Sequence, residues 1–181
     1  MSINVLFVCL GNICRSPTAH GVFQHLVDRH NLQHAITVDS AGTGDWHIGR
    51  APDQRSTATA LQRGYDLSVL RARQVQVEDF SRFDYILAMD TQNLRDLQAM
   101  RPAHFRGELD LFLRYGEGRY GGLRLRNGDS DLNEVPDPYY GESDGFDHVL
   151  DLVEEAAQGL LRAIAQQQQL PLRPSQLSSQ H

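Results

Sequence analysis

The sequence predicts a single α/β domain with a central, mostly four-stranded parallel twisted sheet and helices on both faces. Three observations predict it. Short β-branched and aromatic runs recur along the chain, amphipathic helical segments alternate with them, and 181 residues suit one domain with a substantial core. No internal repeat interrupts the alternation.

The first strand is Val5-Leu6-Phe7-Val8, a continuous apolar run suited to burial on both faces, which leaves Cys9 at its carboxyl end. Ser16-Pro17 reads as a helix start, because serine caps free amides and proline is preorganised for the first turn. Over 18–29 the apolar Ala19, Val22, Phe23, Leu26 and Val27 recur at helical spacing. Residues 36–39 form a second strand, and the glycines of Ser40-Ala41-Gly42-Thr43-Gly44 mark a flexible loop after it. A helix follows over 52–63, a strand over 83–89, a helix over 91–100 behind an Asp90 cap, and a last strand over 108–113. Residues 145–166 carry Phe146, Val149, Leu150, Val153, Leu160 and Leu161 on a long amphipathic helix. The domain is expected to span 1–168. The Gln-, Pro- and Ser-rich 169–181 are expected to be a disordered tail that buries too little surface to order itself.

In this architecture sites lie at the carboxyl ends of the strands. The run Cys9-Leu10-Gly11-Asn12-Ile13-Cys14-Arg15-Ser16 joins strand end to helix start, so its amides and the positive helix end converge on one point that attracts an oxyanion. A helix N-terminus and a neighbouring cation favour the thiolate of a cysteine, and Cys9 reads as a nucleophile aimed at a bound phosphate. Arg15 adds a planar fork that can hold two phosphoryl oxygens. Gly11 relieves crowding where the backbone turns, and the Ser16 hydroxyl can hydrogen-bond the thiolate. The alternative is that Cys9 and Cys14 are inert, buried small hydrophobes, as free cysteines often are.

Composition removes competitors. All seventeen basic residues are arginine, so a Walker-type nucleotide loop and a Schiff-base lysine are both excluded. Cys9 and Cys14 do not match zinc-ligand spacing, and His20, His25, His30 and His34, at gaps of five and four, do not hold one helical face. These histidines read as surface residues, and no metal is expected. A net charge of −6 argues against nucleic acid as the main ligand. The N-terminal apolar run is too short for a secretory or membrane-spanning segment, so a cytoplasmic protein with reduced thiols and no membrane contact is expected.

Attack on a phosphate ester by a thiolate still needs an acid to protonate the departing oxygen. Asp137, in Val135-Pro136-Asp137-Pro138-Tyr139-Tyr140-Gly141, is the candidate: flanking prolines stiffen its loop, and the tyrosines offer an apolar wall beside it.

These motifs, with Asp39-Ser40-Ala41-Gly42-Thr43, Arg71-Ala72-Arg73-Gln74 and Ala88-Met89-Asp90, together resemble the low-molecular-weight protein-tyrosine phosphatases from the N-terminus to about Gln166. The resemblance implies hydrolysis of protein phosphotyrosine and small aryl phosphates through a phosphocysteine on Cys9. The Arg15 side chain and the amides of Leu10 through Arg15 hold the phosphate, and Asp137 acts as acid and then base with no cofactor. It further implies that Asn12 and Ser40 support the loop by hydrogen bonding and that Trp46, Tyr139 and Tyr140 wall the substrate pocket. Ile13, where phosphoarginine-specific members carry threonine, favours phosphotyrosine. Cys14 stands where a second loop cysteine can form a protective disulfide with the nucleophile. The implied partner is a phosphotyrosine protein, with a tyrosine autokinase as one candidate, and inorganic phosphate and similar oxyanions are expected product-like ligands. A monomer or weak dimer is expected.

Two departures stand out. Leu70 occupies a position where the family often has histidine. Residues 114–134, with Arg119, Arg124 and Arg126 before Asp129, Asp131 and Glu134, are longer than usual and lead into the Asp137 loop, which suggests a role in docking protein substrates. An arsenate reductase of the same fold is the alternative enzyme, but it needs resolving cysteines, and none follows Cys14. A phosphotyrosine-binding module without turnover is the alternative from another class, and it would need neither Cys9 nor Asp137.

Overall fold

Strand β1 (Ile3–Cys9) lies inside the sheet because it is the most apolar run of the chain, and Val5, Leu6, Phe7 and Val8 are fully buried. The structure is a computed structural model that describes residues 2–117, 133–141 and 144–174. On one side β1 pairs in parallel with β2 (Ile36–Gly42), and on the other with β3 (Tyr85–Ala88), which in turn pairs with β4 (Glu108–Leu111). The order β2-β1-β3-β4 gives the expected four-stranded parallel sheet.

Alternate side chains of β1 feed two cores. Val5 and Phe7 face α1 (Arg15–Arg29) and α5 (Asp144–Gln168), with Phe23, Val27, Val153 and Leu160 buried against them. Phe7 meets Phe23 and Phe112 edge-on, at centroid distances of 5.7 and 4.8 Å, contacts worth about 0.5–1.5 kcal/mol each beyond their burial. Leu6 and Val8 face the opposite layer, where Phe80 from the short α3 (Asp79–Arg82) and Leu97 from α4 (Thr91–Met100) join Phe83, Ile86 and Phe105. The helix α2 (Gln54–Gln62) is capped by Asp53, whose side chain accepts from the Arg55 amide.

Several boundaries differ from expectation. Strand β2 continues to Gly42 because Gly42 pairs with Cys9 and bridges Gln74, so much of the loop expected at 40–44 is sheet. Strand β3 begins at Tyr85, after the Phe83 amide has closed α3 on Asp79. Strand β4 stops at Leu111, and Phe112–Tyr115 form a 3-10 turn that drives Phe112 and Leu113 into the core. Helix α1 starts at Arg15 rather than at a Ser16 cap, and the Ser16 hydroxyl is turned to other partners. The last helix ends at Gln168, and 169–174 continue without regular structure along the domain. Gln169 turns the chain at a positive φ of 54°, Leu170 and Leu172 pack on the core, and the Arg173 amide donates to His30 Nδ1 at 2.9 Å. Residues 175–181 lie outside the described residues.

The surface reading of the histidines holds only for His34. His20, His25 and His30 are half-buried, with His20 Nδ1 3.1 Å from Ser40 Oγ and His25 edge-on to Tyr65. Helical periodicity over 18–29 does not separate His20 and His25, because both flank the buried stripe of α1 rather than oppose it, and His30 follows as its C-cap. Among the described residues no helix is long and apolar enough to cross a membrane, and no group of three or more His, Cys, Asp or Glu is arranged to hold a metal.

Candidate active site

Cys9 ends β1, and the six residues to Arg15 wrap into a loop, several of whose carbonyls are taken up from outside it. Cys9 O accepts from the Thr43 amide, Leu10 O from Gly44, Ile13 O from Asp53 and Cys14 O from Thr18. With the carbonyls pinned outward, the loop has the form of an anion cradle. Asn12 makes the sharp turn at φ 55°, a left-handed conformation that asparagine tolerates better than most residues. Gly42 closes the cradle from behind: a Cβ there would stand 2.7 Å from Leu10 O, so only glycine lets β2 and the loop approach this closely.

The buried Cys9 Sγ takes the Asn12 amide at 3.3 Å and lies 3.0 Å from Ser16 Oγ. Asn12 Nδ2 donates to Ser16 Oγ at 2.8 Å, and Ser16 Oγ is 3.3 Å from Ala41 O. Asn12 Oδ1 accepts from the Arg73 amide at 3.0 Å, while the Arg73 guanidinium grips Asp79 with two hydrogen bonds and reaches Asp39. Asn12 thus braces the loop against the Arg71-Ala72-Arg73-Gln74 segment, and Leu70 contributes no hydrogen-bonding side chain to it. Ser40, expected as a partner of the loop, instead has its hydroxyl beside His20.

Arg15, almost wholly buried, sends Nη1 to Asp90 Oδ2 at 2.6 Å and to Val135 O at 3.2 Å, and its Nη2 lies 3.7 Å from Asp137 Oδ2. Burial alone would lower its pKa, but the Cys9, Asp90 and Asp137 charges outweigh burial and raise it, so the guanidinium stays charged. Burial pushes the Cys14 thiol up to about 12, against a hydrogen bond from Ser56 that works the other way. Cys14 is therefore a neutral thiol beside Cys9, and the two are unlinked.

Asp137 stands on the opposite lip, its carboxylate partly exposed and accepting from the Tyr139 amide at 3.1 Å. Cys9, Leu10, Gly11, Ile13, Cys14, Arg15 and Asp137 line one cleft of about 450 Å³, whose walls are Trp46, His47, Tyr139 and Tyr140. Trp46 is 67% exposed and Tyr140 92%, so large rings stand at the mouth in water. A thiol at the floor, a fixed cation beside it, a carboxyl at the rim and aromatic walls suit in-line transfer of a phosphoryl group from an aryl ester.

The structure thus brings together every residue expected at the loop, the acid position and the walls, and separates Ser40 from Asn12. The sequence marks no role for His47 or Arg55, includes Val135 only within the Asp137 motif, and offers Asp90 as a helix cap and as part of the Ala88-Met89-Asp90 motif. The neighbourhood of Trp46 was a usable signal for His47, which packs on Gly11. Of the long 114–134 segment, Arg114 pairs with Asp110 at 3.2 Å and Glu134 accepts from Thr91 Oγ1 at 2.5 Å, while Arg119, Arg124, Arg126, Asp129 and Asp131 lie outside the described residues.

Residues 4–170 match the family model described as low molecular weight phosphotyrosine protein phosphatase. The chain is 43% identical over 167 residues to the low molecular weight protein-tyrosine-phosphatase of Streptomyces coelicolor, covering 92% of this chain and 96% of that one. It is similar to the crystal structure of a protein tyrosine phosphatase from Entamoeba histolytica with Hepes in the active site, at TM-score 0.81 and 34% identity over 92% of this chain and 99% of that one. It is also similar to the drosophila arginine phosphatase structure, at TM-score 0.76 and 32% identity over 88% and 96% of the two chains.

Proposed function

Because the chain belongs to the low-molecular-weight phosphotyrosine protein phosphatases, cysteine-dependent hydrolases of phosphoric monoesters, we propose that it hydrolyses protein phosphotyrosine through a phosphocysteine on Cys9. In the first step the Cys9 thiolate attacks phosphorus in line, the S–P bond forms, and the bond from phosphorus to the phenolic oxygen breaks. Asp137 passes its proton to that oxygen as it leaves. In the second step Asp137 takes a proton from water, the water oxygen attacks phosphorus, and the thiolate departs toward Ser16 Oγ. Arg15 and the loop amides hold the equatorial oxygens throughout and neutralise their charge. The reaction draws no group from a metal or organic cofactor.

The observation that carries this reading is the convergence of three residues from the two ends of the chain: Cys9 and Arg15 share the loop, and Asp137 lies 3.7 Å from the Arg15 guanidinium across the cleft. Cys9 buried at the floor and the exposed rings of Trp46, Tyr139 and Tyr140 at the mouth favour an aryl phosphate, since a short alkyl ester would leave phosphorus far from Sγ. Ile13, half-buried in the lining, supports phosphotyrosine over phosphoarginine. The protein partner is then one bearing phosphotyrosine, a tyrosine autokinase among the candidates, met in the cytoplasm by a monomer or weak dimer.

The test is turnover of a phosphotyrosine peptide, a small aryl phosphate and phosphoarginine by wild type, Cys9→Ser and Asp137→Asn. Cys9→Ser should be inactive, Asp137→Asn slower by about 10²–10³-fold, and quenched wild-type enzyme should carry phosphate on Cys9. Undiminished turnover by Cys9→Ser, or preference for phosphoarginine, would refute the mechanism or the specificity respectively. Cys9→Ser used as a trap in the source cell should retain the physiological phosphoprotein.

A further inference from the structure

We propose that Arg55 is a positioning residue for the acid loop, holding Asp137 over the cleft by fixing Tyr139. This rests on the assignment of Asp137 as the acid, and it concerns a side chain that does not line the cleft.

The loop that carries Asp137 is held at two points. Upstream, the Val135 amide donates to Met89 O at 2.7 Å and Val135 O accepts from Arg15 Nη1 at 3.2 Å. Downstream, Tyr139 O accepts from Arg55 Nη2 at 3.2 Å, and the Arg55 guanidinium lies over the Tyr139 ring at 5.4 Å and the Phe146 ring at 4.8 Å. Asp137 stands two residues from each anchor. Its own hydrogen bond runs to the Tyr139 amide, and its carboxylate is 43% exposed, so the aim of the carboxyl depends on where Tyr139 is held.

Arg55 can hold Tyr139 because it is itself held. Asp53 chelates it, with Arg55 Nε to Oδ1 at 3.1 Å and Nη2 to Oδ2 at 3.0 Å. The Asp53 amide in turn donates to Ile13 O of the Cys9–Arg15 loop at 2.8 Å. A planar fork fixed on one edge presents its remaining N–H and its face in a set direction, which a lysine ammonium on a flexible stem does not. Ile13, Asp53, Arg55 and Tyr139 therefore form a strut from the nucleophile's loop to the acid's loop, outside the cleft. A displacement of about 1 Å at a reacting group can cost up to about 10²-fold in rate, so the strut bears on proton transfer to the leaving group and little on phosphate binding.

The test measures kcat/KM for a series of aryl phosphates from 4-nitrophenyl to phenyl, whose leaving groups need protonation increasingly. Wild type, Arg55→Ala, Arg55→Lys and Asp53→Asn are compared, with Asp137→Asn as the reference for a missing acid. Arg55→Ala should lose about tenfold on phenyl phosphate and less than about twofold on the 4-nitrophenyl ester. Arg55→Lys should recover little of this, and Asp53→Asn, which keeps the α2 cap but weakens the chelate, should show the same steepening to a smaller degree. Equal loss on every ester, or no loss on any, while Asp137→Asn does steepen the series, would overturn the role of Arg55 alone. A series insensitive to Asp137→Asn would overturn the acid assignment and the strut with it.

Discussion

Asp90 serves two elements with its two oxygens: Oδ2 accepts from Arg15 Nη1 at 2.6 Å, and Oδ1 accepts from the Asn93 amide at 2.7 Å to cap α4. The residue that ends the β3 side of the cleft thereby orients the buried guanidinium. Asp90→Asn preserves a good helix cap but removes the charge facing Arg15. Both Asp90→Asn and Asp90→Ala should lower kcat/KM on an aryl phosphate by about tenfold, and the alanine variant should be less stable than the asparagine one by about 1 kcal/mol in urea. Equal stability of the two would show that the cap is idle.

Gly42 sets how closely β2 backs the Cys9 loop. In Gly42→Ala the new Cβ meets Leu10 O and the Asn12 amide, the group that donates to Cys9 Sγ. The clash is with backbone, so it is relieved only by moving the loop, at a cost of about 1–3 kcal/mol. Turnover should fall by more than tenfold while the circular dichroism spectrum stays that of the wild type. Full activity in this variant would mean the loop tolerates displacement.

Cys14, pushed up to about 12 by burial, remains a thiol across the physiological range. Because the thiolate is the alkylating species, iodoacetamide at neutral pH should leave Cys14 untouched until the protein is unfolded. Peptide mapping by mass spectrometry checks this. Cys14 labelled in the native protein as fast as in the unfolded chain would contradict the burial seen here.

His20 makes stability depend on pH. Burial, opposed by Asp39, lowers its pKa below the ordinary 6.5, so the folded protein binds this proton less readily than the unfolded chain. Its contribution is therefore complete above about 6.5 and is lost as pH falls through the lower folded value. Urea denaturation of wild type and His20→Gln at pH 7.5, 6 and 5 should give curves that converge toward acid. His30, shifted the same way by burial and by Arg29 and Arg173, is common to both proteins and cancels. Parallel curves would mean that His20 does not titrate differently on folding.

Much of the fold was legible because its strongest signals are local. The run Val5–Val8 reads as a doubly buried strand without reference to anything else, and Asp90 before Thr91 marks a helix start that the structure keeps to the residue. Boundaries set by partners were not legible: Gly42 is in β2 because Cys9 lies beside it, and Phe112 leaves β4 because α5 lies over it. The same division runs through the cleft. Cys9, Arg15 and Asp137 announce themselves by residue type in a local setting, whereas Arg55 is an ordinary helix-start arginine until Tyr139, 84 positions away, is folded against it. His20 misled because helical spacing gives the face of α1 but not the Ser40 hydroxyl waiting beside it.

Strand β1, though first in the chain, has a neighbour on each side, and Arg15 just after it is completed by Val135, 120 positions downstream. A ribosome adding about 5–20 residues per second takes on the order of ten seconds to cover that distance. For that interval the nascent polypeptide carries its thiol and its guanidinium without the Val135 carbonyl that steadies the guanidinium or the Asp137 carboxyl across from it. Under the proposed mechanism, turnover is consequently a readout of chains that extend past the Asp137 loop and through α5: shorter truncation products contribute antigen and thiol titre to a preparation while lacking the acid and half of one core.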